Sequence, residues 1–128
     1  MNAAERFFRA STEGNLEAAT AEFAPDVVML NPATDDEIRG KDAVADALGA
    51  VEAACDEFRH THLLVDAAGG PKPVFGLVYQ AVVGDARLEG VDLLELDDRD
   101  RIASFRVSAR PMSGLMALGA RMSGAAES

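Results

Sequence analysis

The sequence has no tryptophan, one tyrosine and one cysteine. A lone Cys55 excludes an intrachain disulfide and a cysteine zinc cluster; on the apolar stripe of a helix it reads as a small buried thiol. Cations are scarce, with 12 Lys and Arg against 22 Asp and Glu and a net charge of −10. That balance repels phosphate backbones and anionic lipid, so neither nucleic acid nor a membrane surface is expected as a partner. Long apolar runs are missing too. The longest, Val74–Gly84, is too short to cross a bilayer as a helix, and no basic-then-apolar N-terminus marks a signal peptide. A soluble, cytoplasmic protein is expected. There is no repeat, linker or low-complexity block.

What is present is an ordinary globular chain. It has 128 residues, 48% of them hydrophobic, enough for one domain with one core. Ala4, Phe7, Phe8 and Ala10 or Ser11 recur at helical spacing, predicting a helix over Ala3–Glu13 that Gly14 stops. Asn15 caps a second short helix to about Phe23. Pro25 and Asp26 turn the chain into a strand, Val27–Leu30, and "NPATDDEIRG" reads as a loop. The stripe Val44, Ala47, Leu48, Val51, Ala54 and Cys55 predicts a helix over Lys41–Cys55. Four strands follow, Glu57–Val65, Pro73–Val83, Arg87–Leu96 and Arg101–Arg110, with turn-rich joints between them. Pro111 opens a last, methionine-rich helical segment, and residues 123–128 read as a frayed tail.

Helices first and a strand meander after them indicate an α+β fold. The expected form is a curled antiparallel sheet with helices covering one side and a short C-terminal helix, which together enclose a pocket. In "EGVDLLELDDRDRIASFRVSARP", Asp92 shares its strand face with Leu88, Gly90, Leu94 and Leu96. A carboxylate buried without a partner is expensive, so Asp92 is expected to face that pocket.

With "FFRASTEGNLEAATAEFAPDVVMLNP", "IRGKDAVADAL" and "GVDLLELDDRDRIASFRV" in this order, the chain resembles the nuclear-transport-factor-two-like superfamily. That group includes ketosteroid isomerases, SnoaL-like polyketide cyclases, limonene epoxide hydrolases and scytalone dehydratases. The resemblance spans Ala4 to about Met116 and implies a single domain, 1–128, with its core over about 4–116, in which the sheet makes a cone-shaped barrel with the N-terminal helices on its concave side. It is specific for the fold and not for the chemistry. The isomerase pattern implies a general-base Asp where this chain has Asn31, and an oxyanion-hole Tyr where it has Phe7. It implies a neutral Asp donor where this chain keeps Asp92. The epoxide hydrolase pattern implies an Arg and an Asp on the long middle strand, but Pro73–Gly84 has no charged residue. Cyclase-like and dehydratase-like members imply a His paired with an Asp.

His60 and His62 alternate onto one face with Phe58 and Leu64, so His62 and Asp92 are expected to meet across the pocket as a catalytic pair. A structural histidine satisfied by Asp92 is the alternative. His60, His62 and Asp92 together would suit a metal, but the resemblance suggests none, and no metal or cofactor is expected. Asn31 is a pocket group or ordinary turn chemistry. Tyr79 offers a pocket hydroxyl or packing. Phe7 is expected to line the wall, with His60 among the substrate-binding residues. Arg110 would sit at the rim to hold an acidic group or pair with Asp92, or else be a surface arginine. The last helix caps the mouth, packs in the core or forms a dimer contact.

The resulting expectation is a small-molecule pocket protein acting without cofactor on a small, mainly apolar, oxygenated substrate. The reaction would be acid–base isomerisation, cyclisation or dehydration. Its alternative is a non-catalytic module that binds a hydrophobic ligand or dimerises. Whether the chain is an enzyme stays open at this point. A homodimer through the outer sheet face is expected from the resemblance.

Overall fold

The structure, a computed structural model, describes residues 1–127. Helix α1 (Ala3–Thr12) begins at Asn2, whose side chain accepts the Glu5 N–H while the Glu5 carboxylate accepts the Asn2 N–H. This reciprocal cap satisfies two otherwise unpaired donors. The helix is then pinned from outside. Arg6 bonds Glu22 at 2.7 Å and Asp100 at 2.8 Å, and Asp100 also accepts the Ala3 N–H at 2.9 Å. The buried stripe Ala3, Ala4, Phe7 and Ala10 is therefore held against the sheet.

Helix α2 (Leu16–Thr20) follows, then strands β1 (Phe23–Leu30) and β2 (Glu37–Arg39) and helix α3 (Lys41–Ala54). The meander is β3 (Glu57–Val65), β4 (Val74–Val83), β5 (Ala86–Leu96) and β6 (Ile102–Arg110), and helix α4 (Met112–Glu127) ends the chain. The sheet order is β2-β1-β6-β5-β4-β3. This is the α+β fold expected, a curled sheet with helices laid across its concave side.

Several local expectations need correction. The sheet is not wholly antiparallel, because β1 pairs with β6 in parallel. Strand β1 starts at Phe23, and Pro25 lies in the interval Phe23–Val28 where the ladder register shifts, so its missing N–H breaks no regular pairing. Part of the stretch read as a loop is β2, which pairs with Val28–Leu30. The stretch read as a frayed tail is helical to Glu127, and Ser128 lies outside the described residues.

Two apolar clusters fill the interior. At one end Phe7, Phe23 and Phe105 meet with ring centroids 5.7–6.1 Å apart. With Leu77, Leu94 and Ile102 they are at most 2% exposed. At the other end Ala81, Val83, Leu88 and Leu118 form a smaller cluster under α3 and α4. Between them lies the functional region.

Candidate functional site

Between the two clusters, toward the second end, the sheet and helices surround a cavity of about 250 Å³. Its wall is apolar, built from side chains such as Met29, Val51, Phe58, Leu88, Leu118 and Met122. The polar points on it are Asp92, Tyr79, Cys55 and, at the mouth, Asn31.

Asp92 faces inward as its strand alternation requires. It is 3% exposed and sits in the row Leu77–Asp92–Val107 across three strands. Burial pushes its carboxyl group above the ordinary aspartate range, and the neighbouring His60 opposes that rise. Asp92 Oδ1 has no hydrogen-bond partner among the described residues, nor has His60 Nε2. His60 Nε2 lies 3.7 Å from Asp92 Oδ2, with both side chains 5% exposed. At that separation the two groups are neighbours and not a direct hydrogen bond. Rings fix the imidazole: Phe58 edge-on at 5.3 Å, Phe7 at 6.1 Å and Tyr79 at 6.4 Å.

The partner of Asp92 is thus His60, and the expectation that His62 meets it is corrected. The cause is a β-bulge. His60 pairs with Tyr79 and His62 with Val78, so Thr61 is an extra residue on β3. The bulge reverses the phase of the strand. Phe58, His60 and Leu63 turn inward, while His62 is exposed and pairs with the Thr61 hydroxyl at 2.9 Å. Leu64, at 51% exposure, goes outward with it. The same reversal separates the two imidazoles, so the His60–His62–Asp92 metal set does not assemble. Among the described residues no group of three or more His, Cys, Asp or Glu is placed to hold a metal ion.

Phe7 is core rather than pocket wall: it stacks into the aromatic cluster and meets His60 edge-on, and it is not among the residues lining the cavity. Arg110 is on the opposite sheet face, paired with Glu89 at 2.7 Å and exposed. The strand alternation that sends Asp92 in sends Arg110 out, so it neither rims the cavity nor reaches Asp92.

Tyr79 lines the cavity, but its hydroxyl donates to the Ser108 carbonyl at 2.8 Å. Burial pushes its phenol well above the ordinary tyrosine value. Gly90 makes that bond possible: a Cβ there would lie 1.9 Å from the Ser108 oxygen and 2.6 Å from the Tyr79 hydroxyl. Asn31 lines the mouth with its carbonyl oxygen accepting the Ala33 N–H at 2.8 Å, an Asx turn. Burial also raises the Cys55 thiol. Sequence reasoning gave no role to Gly90 or to Gly119 of α4; Leu115, on the helix for which capping the mouth was one reading, lines the cavity with Gly119. The alternation of β5 put Gly90 on the inner face; only the pairing partners reveal what it admits.

A curled sheet closed by helices over an apolar cavity with one buried carboxyl group is the cone of the nuclear-transport-factor-two-like proteins. Within that class, the SnoaL-like domain family model matches residues 4–105, and the chain belongs to this family. It is similar to a steroid delta-isomerase from Pseudomonas aeruginosa, with 29% identity, a TM-score of 0.82 and coverage of 98% of this chain and 92% of that one. An uncharacterised cystatin-like-fold protein from Silicibacter pomeroyi is 30% identical, with a TM-score of 0.80 over 95% of this chain and 83% of that one. A protein of unknown function from Xanthomonas campestris shares the fold at 21% identity, TM-score 0.72, over 92% of this chain and 98% of that one. No curated protein matches the sequence. No helix among the described residues is long and apolar enough to cross a membrane.

Proposed function

We propose that this protein holds a small, mainly apolar, oxygenated molecule in the cavity and acts on it by acid–base chemistry, with Asp92 as the proton donor. The observation that carries the reading is Asp92 itself, a buried cavity-lining carboxyl group with an unpartnered oxygen and His60 3.7 Å away. Burial favours the neutral acid. A neutral carboxyl donates a hydrogen bond to a ligand oxygen, and the bond strengthens as that oxygen gains negative charge in a transition state. His60, 3.7 Å from Asp92 Oδ2 and set behind the cavity wall, opposes that effect of burial.

The cavity volume, about 250 Å³, falls below the roughly 300–1,000 Å³ typical of drug-sized ligands. A one- or two-ring molecule fits that space. The other titratable groups on the wall are poor proton exchangers, since burial raises both the Tyr79 phenol and the Cys55 thiol. One carboxyl group therefore gives and regains the proton, which suits an isomerisation, cyclisation or dehydration at a carbonyl or hydroxyl oxygen. Likeness to a steroid delta-isomerase at 29% identity supports the isomerase class. The same reading has the protein cytoplasmic, working without cofactor, and forming a homodimer through the outer sheet face, which light scattering tests directly.

A non-catalytic ligand carrier is the second reading, favoured by Asn31 and Phe7 at the positions of the isomerase base and tyrosine. Asn31 cannot take a proton, and its side-chain oxygen is already committed to the Ala33 N–H.

The deciding experiment follows the Asp92 carboxyl carbon through a pH titration. The acid–base reading expects a midpoint above the ordinary aspartate value. A midpoint near that value of about 3.9 sinks it. Stability gives an independent check on sign. A carboxyl whose folded pKa is raised contributes stability in full below its unfolded pKa, and that contribution is lost as pH rises through the folded pKa. Asp92→Asn removes the loss, so denaturant unfolding should show the variant gaining on the wild type as pH rises above the ordinary carboxyl value of about 3.9.

A further inference from the structure

We propose that helix α4 is a lid over the cavity and that the bridge from Arg121 to Asp56 and the Ala54 carbonyl is its latch. The inference concerns access to the cavity and does not depend on which chemistry occurs inside.

The two ends of α4 are held differently. Its start is pressed on the sheet: Gly114 is buried, and a Cβ there would lie 2.3 Å from the Arg87 carbonyl. That close approach fixes the first turn against β5. Beyond it, residues 116–124 make one kind of polar attachment to the described chain outside α4. Arg121 Nη1 donates to the Ala54 carbonyl at 3.1 Å and to Asp56 Oδ1 at 3.0 Å. Leu115, Leu118 and Met122 turn inward from this half; they pack on the small cluster of Ala81, Val83 and Leu88 on one side and border the cavity on the other. Side chains over a cavity lack packing partners on that side, so they hold the helix less firmly than core contacts would.

The receiving end is rigid. Asp56 Oδ2 accepts the Gly84 N–H at 2.7 Å, and the Asp56 N–H donates to the Val82 carbonyl at 2.7 Å. The carboxylate thus joins the start of β3 to the β4–β5 turn, and Arg121 fastens α4 to that junction. Breaking the bridge would let the second half of α4 lift while Gly114 stays seated. Elements with few buried contacts open locally at low free energy, and this helix carries the cavity's wall with it.

The test compares wild type, Arg121→Gln and Arg121→Lys. Amide hydrogen exchange over residues 115–122 should run roughly fivefold faster in Arg121→Gln, as expected for losing a partly exposed charge-assisted bridge. Exchange in β4 and β5 should not change, and Arg121→Lys, which keeps the charge with fewer donors, should fall between. A neutral two-ring fluorescent probe, 2-naphthol, should enter and leave the cavity faster by a similar factor, with affinity kept within about twofold, since a gate changes rates and not equilibria. Unchanged exchange in α4 overturns the latch, as does faster exchange spread over the whole protein. So does a loss of probe affinity with an unchanged capture rate. A protein that takes up no probe counts against the pocket reading, and exchange alone then decides the latch.

Discussion

The same four strands β3–β6 build two unlike ends of one cone. Toward the first end their inward residues are Leu63, Phe75, Leu77, Leu94, Leu96, Ile102 and Phe105, and α1 adds Phe7. Toward the second they are Phe58, Ala81, Leu88 and Ala109. Backbone and pleat are alike; side-chain volume differs. The rings of Phe7, Phe23 and Phe105 fill the first end, and where Ala81 and Ala109 stand in for larger residues the second is left hollow under α3 and α4. His60, Tyr79 and Asp92 occupy the rows where one regime gives way to the other. The polar pair is therefore sealed by packing on one side and open to the cavity on the other, which gives Asp92 both its burial and its access.

Equal surgery at the two ends should cost unequal amounts. Phe7→Ala removes a ring at 2% exposure that stacks on Phe23 and Phe105, and should destabilise by about 3–5 kcal/mol. Leu115→Ala trims a side chain that already borders the cavity, and should cost only about 1 kcal/mol, because little packing is lost there. Denaturant unfolding measures both. Comparable losses would mean that the second end is as tightly packed as the first.

The boundary can be attacked from the backbone. Gly90→Ala puts a Cβ against the Ser108 carbonyl and the Tyr79 hydroxyl, so β5 and β6 must part and the protein should lose about 1–3 kcal/mol. Tyr79→Phe in the same chain should not restore it, because the closest approach is to the Ser108 backbone at 1.9 Å. Full rescue in thermal unfolding would assign the strain to the tyrosine instead.

Much of this arrangement was legible in one dimension. Leu88, Gly90, Asp92, Leu94 and Leu96 alternate cleanly, so the inward carboxyl could be read directly, and the four long strands fell within a residue of their observed bounds. The alternation of Phe105, Val107 and Ala109 also held the outward direction of Arg110, a signal that a charged residue near a supposed pocket obscured. Other features had no local signal. The Tyr79 hydroxyl bonds a carbonyl 29 residues away, and the parallel β1–β6 pair joins the two ends of the chain order. A cavity is a deficit of volume summed over many elements, which no short stretch records. In "HTHLLV" the two leucines make both phases look apolar, so nothing in the period marks the bulge at Thr61.

That bulge makes the last and smallest effect also the most discriminating. His60 and His62 are two residues apart yet lie on opposite faces, one among aromatic rings beside Asp92 and the other in solvent. His62→Gln should leave stability within about 0.5 kcal/mol of wild type and leave the Asp92 titration where it is. His60→Leu keeps the site buried and apolar but removes the group that opposes the effect of burial on Asp92. The Asp92 midpoint should then climb further above the ordinary carboxyl range. An Asp92 titration that follows His62 and ignores His60 would mean that β3 pairs without the bulge, with the two faces of this strand exchanged.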